Sequence, residues 1–535
     1  MTSSTRQRGL VLLALFLSGL AGLMHEVVWA KLLANLTGST AKAHAVVLGV
    51  FMGGLAIGAV LFGKRSDKRE RPLMAYVVLE ILIGLYCIAL PWLTGAAGAL
   101  YENLAAATFE QPGLKTVLRL FLSLAVITIP AVMMGGTLPV LARYLVQEVA
   151  QTRKAVASLY ALNNIGAVIG SGVAGFYLLP RFGIYGSLVA ASSLNFIAAG
   201  LVWLADARTT PNTPLTEHEA PPSEHYTRGQ FTATLWALAL AGFAAMGYEI
   251  VYLRIIALGF GSSTFSFTVM LMCFITGIGL GSGLISLINV KRPMALLAVS
   301  QFGVIATVLL STYVVDHLPY WVSSMRTELL VWPDDLTEPH AIGEVDYGFE
   351  KFLTGQALIC FLMLIVPTML IGMGFPLVSQ IQARSAASIG GTVGSTYAWN
   401  TIGNVLGVTV TSLFLMPNLG IDGALHFNIG LNFAAALLLL FAAKEFPLFE
   451  RGLTVAATAA VVVYYATSLS HWSYTLNHAE GHLRLRRPLP EPYASNALVR
   501  SRYPATSFEA WKAKHIRDAD PKKDGWDDFR LYEDA

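Results

Sequence analysis

Two glutamates lie inside apolar stretches, in matching surroundings 223 residues apart. Ala21-Gly22-Leu23-Met24-His25-Glu26-Val27-Val28-Trp29-Ala30-Lys31 aligns with Ala244-Ala245-Met246-Gly247-Tyr248-Glu249-Ile250-Val251-Tyr252-Leu253-Arg254, with Glu26 on Glu249. A carboxylate within an apolar helix is costly, so it is expected to face a protein interior and to pair. Lys31 and Arg254, each five residues on, are the expected ion-pair partners. Two readings follow: a structural ion pair copied with its helix, or a proton or cation site at the outer mouth of a cavity. A third carboxylate, Glu80, aligns with neutral Gln301. Duplication alone does not explain that asymmetry, so Glu80 is read as a proton-coupling group, or otherwise as a hydrogen-bonded interior residue. Tyr160-x-x-Asn163-x-x-Gly166-x-x-x-Gly170 recurs as Tyr397-x-x-Asn400-x-x-Gly403-x-x-x-Gly407. Spacings of three and four place these residues on one helical face. There glycine admits a close neighbour and asparagine bridges helices or lines a polar path.

Catalytic signatures are missing from this picture. The sequence offers no nucleophile–base pair and no metal-spaced cluster. Cys87, Cys273 and Cys360 all lie in apolar stretches without a CxxC, so they read as small hydrophobes. No catalytic residue, cofactor or metal is expected.

The elements that must position these groups are apolar helices. The chain has 535 residues, is 55% hydrophobic and 13% charged, and has a mean hydropathy of +0.59. A soluble domain carries about 25% charged residues. This excludes a soluble enzyme, a disordered chain and a nucleic-acid binder. Runs near 20 residues are long enough to cross a bilayer. They fall at about 9–31, 45–63, 73–94, 117–142, 156–179, 186–204, 231–254, 265–289, 294–314, 353–380, 392–416 and 424–443, with an extra one at 452–470. The first run is too long for a cleaved leader and is followed at once by another span. The stretch from Lys64 to Arg71 carries five basic residues in eight, and basic loops favour the cytoplasmic side. The N-terminus is then cytoplasmic. With thirteen spans the C-terminus is periplasmic, in a bacterial inner membrane.

The alignment of the two segments continues beyond the glutamates. The offset of 223 also pairs Phe51 with Phe274, Gly54 with Gly277 and Gly58 with Gly281. It becomes 221 at Arg71-Pro72 and Arg292-Pro293. It becomes 237 for Pro139 and Pro376, Tyr160 and Tyr397, Gly166 and Gly403, and Pro180 and Pro417. The expected organisation is therefore an all-α polytopic membrane protein with two six-helix halves, 1–204 and 231–443. A Pro-rich cytoplasmic linker at 205–230 joins them, and an outer loop spans 315–351. The extra span and a polar tail at 471–535 follow.

Six plus six spans with a cytoplasmic linker resembles the major facilitator superfamily, in which two parallel halves rock about a central cavity. Gly63, Asp67, Lys68 and Arg71 resemble that family's loop motif after the second span, while Glu70 and Pro72 depart from it. The resemblance implies a cytoplasmic gating loop; the other reading is a basic anchor. A closer likeness rests on Glu26-Val27-Val28-Trp29-x-Lys31, the Tyr160-x-x-Asn163-x-x-Gly166-Ala167 face and Pro180-Arg181-Phe182-Gly183. These resemble the membrane domain of bacterial fused facilitator/spermidine-synthase-like proteins over roughly 9–443. No soluble βαβ segment is present to form the synthase domain, so no enzyme activity is expected.

The expected function is transport of a small polar or cationic solute by alternating access. Glu26, Glu80 and Glu249 would supply charge, and Asn163, Asn400, Tyr160 and Tyr397 the polar lining. The alternative is a non-transporting scaffold subunit in the bilayer, whose tail docks an extracytoplasmic protein.

Overall fold

A computed structural model describes residues 3–37, 41–106, 112–146, 151–206, 226–260, 264–329, 339–384, 388–444 and 447–468. Among these the chain forms helices and no strand. In hydrocarbon every backbone polar group must be satisfied within its own segment, which a helix does. In chain order the helices are α1 (Ser3–Thr37), α2 (Ala41–Asp67), α3 (Pro72–Ala106), α4 (Pro112–Gly135), α5 (Thr137–Leu145), α6 (Thr152–Gly172) and α7 (Leu179–Asp206). They continue as α8 (Arg228–Phe260), α9 (Thr264–Leu287), α10 (Pro293–Leu329), α11 (Pro339–Gly372), α12 (Gly374–Gln382), α13 (Ile389–Val410), α14 (Met416–Ala442) and α15 (Leu448–Ser468).

Among the described residues ten segments are long and apolar enough to cross a membrane. Two of them, Thr152–Asp206 and Ile389–Ala442, have 55 and 54 residues. At 1.5 Å per residue each is long enough to cross a roughly 30 Å core twice. Both turn at a glycine with positive φ, Gly183 (φ 63°, ψ −166°) and Gly420 (φ 71°, ψ −178°). These are the only positive-φ residues among those described, and they lie 237 apart. Each follows a π-helical turn, at Val173–Leu178 and Thr411–Leu415. The fold is thus an all-α polytopic membrane fold whose ten segments have the length for twelve crossings. The extra span expected at 452–470 coincides with α15, which packs on α10 and is not among the ten.

The packing repeats from one half to the other. Helix α1 packs on α6 and α7 as α8 packs on α13 and α14. Helix α3 packs on α4 and α7 as α10 packs on α11 and α14, and α2 meets α4 as α9 meets α11. The glycines explain how closely. A Cβ at Gly166 would lie 2.2 Å from the Phe16 carbonyl oxygen, and one at Gly403 would lie 2.0 Å from that of Ala239. Residues 16 and 239 are themselves related by the offset of 223. Small residues let backbones touch in lipid, where apolar burial adds little drive for association.

The halves meet along two seams, α2 against α13 and α6 against α9. Under the repeat each seam is the image of the other.

One expectation is altered. Helices α10 and α11 run far into 315–351, which the sequence reads as a loop. Val315 and Leu318 are buried and Trp321 packs against the same core. Their spacing of three continues the apolar face of α10, so the helix outlasts the span.

Candidate functional site

Glu26 and Glu249 line one cavity. Trp29 and Ala30 of α1, Leu48 and Phe51 of α2, Ile127 of α4 and Phe267 of α9 complete its wall. Both halves contribute, so the cavity lies on their junction. The space open to water centres is about 20 Å³, room for roughly one water. Glu249 is 7% exposed and Glu26 partly buried. Neither carboxylate has an ion-pair or hydrogen-bond partner among the described residues. Lys31 and Arg254, the expected partners, are exposed and form no bridge to them. The reason lies in helix geometry: five residues advance a helix by about 500°, which turns the cations away from the carboxylates.

The tyrosines and asparagines lie elsewhere. Tyr160 of α6 and Tyr397 of α13 flank one ring, Phe375 of α12, with centroids at 5.0 and 5.8 Å. Asn163 packs where a Cβ at Gly19 would stand, and Asn400 does the same at Gly242. These asparagines sit at the crossings of α1 with α6 and of α8 with α13. None of the four lines the Glu26–Glu249 cavity.

One end of the bundle carries Lys64, Arg65, Lys68, Arg69 and Arg71, and is called here the basic end. There Asp67, the last residue of α2, accepts the backbone N–H groups of Gly390 and Gly391 at 2.9 and 2.7 Å. These are the free N–H groups of the first turn of α13, where a helix favours an anion. Arg143 of α5 lies 3.6 Å from the same carboxylate. Gly63 touches Gly390 directly. Lys68 and Arg71 are exposed. The second seam is held by the opposite charge. Arg153, at the start of α6, donates to the carbonyls of Ile285 and Ile288 at the end of α9. Ser282 of α9 donates to the Ala157 carbonyl at 2.8 Å.

A further polar set lies wholly inside the first half. Ser18 of α1 donates to Glu80 Oε1 at 2.6 Å, and Asn195 of α7 donates to Oε2 at 2.7 Å. Asn195 Oδ1 lies 3.0 Å from His25 Nε2. Glu80 and His25 are 0% exposed and Asn195 2%. In the second half Asn432 donates to Gln301 Oε1 at 2.7 Å. Sequence reasoning singled out Glu80 but missed His25 and Asn195. The signal that finds Asn195 is the repeat itself: Asn195 and Asn432 stand 237 apart, as Gln301 faces Glu80 in the alignment.

No protein-family model matches the chain. It is 26% identical over 196 residues to polyamine aminopropyltransferase 1 of Streptomyces coelicolor, covering 36% of this chain and 34% of that protein. It is 26% identical over 205 residues to the polyamine aminopropyltransferase of Mycobacterium tuberculosis, covering 37% and 36%. The chain thus spans about a third of the length of the curated relatives it matches. A bacterial homologue of the iron transporter ferroportin, in its outward-facing state, superposes with a TM-score of 0.51 at 12% identity. That superposition covers 82% of this chain and 99% of the other. The likeness is one of fold: an all-α polytopic membrane protein.

Proposed function

We propose that the protein moves a small cationic solute across the bilayer by alternating access. The observation that carries this reading is the pair Glu26 and Glu249, which face one cavity on the junction of the halves with no cation beside them among the described residues. A structural ion pair would have satisfied each carboxylate within its own half. Trp29, Phe51 and Phe267 around them suit an ammonium group, which is attracted to aromatic faces as well as to carboxylates. The relatives' name adds polyamine chemistry, so a short diamine is the first probe.

Access alternates if the seams open and close. The Asp67 contacts to α13 and the Arg153 contacts to α9 hold the basic end together, and each is a small polar set at helix ends. The basic loop supports a cytoplasmic location for that end and for the N-terminus. The bacterial inner membrane is the expected location. Residues 471–535, on which a docked protein partner was proposed, lie outside the described residues.

The test is counterflow of radiolabelled putrescine in proteoliposomes. Glu26→Gln and Glu249→Gln should each weaken apparent affinity about tenfold or more, the scale of one charge-assisted contact at ~1.5–3 kcal/mol. Counterflow that is absent in the parent, or unchanged in both variants, would remove the solute site from this cavity.

A further inference from the structure

In a bundle interior a carboxylate needs a neutralising neighbour. Among the described residues Glu80 has only neutral groups at hand, the donors Ser18 and Asn195 and the neighbouring Tyr76 hydroxyl. The arrangement also dictates how the next residue is protonated. Asn195 turns its amide nitrogen to Glu80, so its oxygen faces His25 and must accept. His25 therefore donates from Nε2, an assignment made from this network, and its Nδ1 carries the lone pair. That Nδ1 is buried without a protein partner. A vacant base thus lies one amide away from a buried carboxyl group.

The second half supplies an internal control. Gln301 and Asn432 make the same clasp at the same 2.7 Å, joining α10 to α14 as Glu80 and Asn195 join α3 to α7. Under the offsets of 223 and 221, Ser18, His25 and Tyr76 correspond to Ala241, Tyr248 and Leu297. Helix packing is therefore met by a neutral amide pair. The carboxylate and the imidazole exceed what the fold requires.

We infer that Glu80, Asn195 and His25 form a one-proton site in the first half, with the proton entering on His25 Nδ1 and Glu80 as the fixed counter-charge. The empty site is carboxylate plus neutral imidazole; the loaded site is carboxylate plus imidazolium, neutral overall. Trp29 stacks on His25 at 5.8 Å between ring centroids and also lines the Glu26–Glu249 cavity. It is the residue through which proton site and cavity touch. Few other titratable groups face the triad. On α3 these are Tyr76, whose hydroxyl donates to the Ala14 carbonyl and also lies against Glu80 and Ser18, with Tyr86 and Cys87 further along. On α1 Glu26 turns to the cavity. Arg181, Tyr185 and Asp206 lie toward the ends of α7, and Tyr160 of α6 faces Phe375. Asp67, Arg143 and Arg153, of α2, α5 and α6, sit at the basic end. Among the described side chains α4 adds none.

As a coupling site this inference rests on the transport reading; as a proton site it does not. The experiment separates the two. Proton uptake by the purified full-length chain in detergent is measured on acidification with an indicator dye. Glu80→Gln and His25→Tyr each reproduce the residue at the equivalent position of the second half, so the clasp and the fold should survive. Each variant should take up one proton fewer than the parent, with the infrared bands of the buried carboxylate missing in Glu80→Gln. Equal uptake by the parent and both folded variants would overturn the site. In proteoliposomes both variants should keep putrescine exchange but lose its accumulation under a pH gradient. Undiminished accumulation would overturn the coupling role. Should the parent fail to exchange putrescine, the solute reading falls and the proton count alone decides the triad.

Discussion

Asp67 in the first half accepts the backbone N–H of Gly390 in the second at 2.9 Å, and that of Gly391 at 2.7 Å. A side chain at the end of one helix thus completes the first turn of another. Glycine matters here because a Cβ at Gly390 would stand 2.5 Å from Ser66 Oγ and 2.8 Å from Asp67 Oδ1. The other seam uses Arg153 on the carbonyl end of α9. The two seams therefore share a position and differ in sign, each matched to the helix end it meets.

Replacing Asp67 by Asn keeps the shape and removes the charge. A charge-assisted contact to a helix terminus is worth about 1–2 kcal/mol, so the seam should open roughly 5- to 30-fold more often. Spin labels at exposed Arg65 and Ser388 would report it as a longer distance population by pulsed resonance. An unchanged distribution would show that the seam closes without this contact.

Backbone contact at the glycine crossings gives a second prediction. Gly403→Ala places a methyl group 2.0 Å from the Ala239 carbonyl. Overpacking of this kind costs about 1–3 kcal/mol. Gly200 of α7, with nothing within 4 Å of a Cβ, serves as control. Gly200→Ala should leave the detergent melting temperature unchanged or raised, and Gly403→Ala should lower it by several degrees.

The halves were legible because their spacing is arithmetic. The offset of 237 holds from Gly135 and Gly372 through the short helices α5 and α12 to the turns at Gly183 and Gly420. What the sequence could not reveal are contacts set by tertiary packing. His25 meets Asn195 across 170 residues and Tyr160 meets Phe375 across the two halves. Neither separation has a period to detect. The expected pairing of Glu26 with Lys31 failed for a local reason, since a five-residue step leaves the face.

Gly183 and Gly420 predict a distinctive mutational pattern. Both have open space at a Cβ position, so sterics from neighbours do not select glycine. Their φ and ψ, near 65° and 180°, select it instead, in a region essentially closed to side chains. Asparagine tolerates the left-handed helical well but not this one. Gly420→Ala and Gly420→Asn should therefore cost alike, about 1–3 kcal/mol, as measured by thermal unfolding in detergent. A clear rescue by asparagine would mean that the turn has relaxed to an ordinary left-handed conformation.

The clasp pair yields an asymmetric prediction. Glu80→Gln turns the first clasp into a copy of the second, where Gln301 already holds Asn432. It should change stability little, by under ~1 kcal/mol, as the amide oxygen still accepts from Asn195 and the Ser18 hydroxyl can turn to accept from the amide nitrogen. Gln301→Glu is not its mirror image. The new carboxylate would find Ala241 where Glu80 has Ser18, and Tyr248 where the first half has His25. Removing compensation from a buried charge costs about 3–5 kcal/mol. Thermal unfolding of the two single variants side by side should show a large loss for Gln301→Glu alone. Equal losses would mean that the surroundings of Glu80, rather than its own charge, differ little between the halves, and the asymmetry of the duplication would carry no electrostatic meaning.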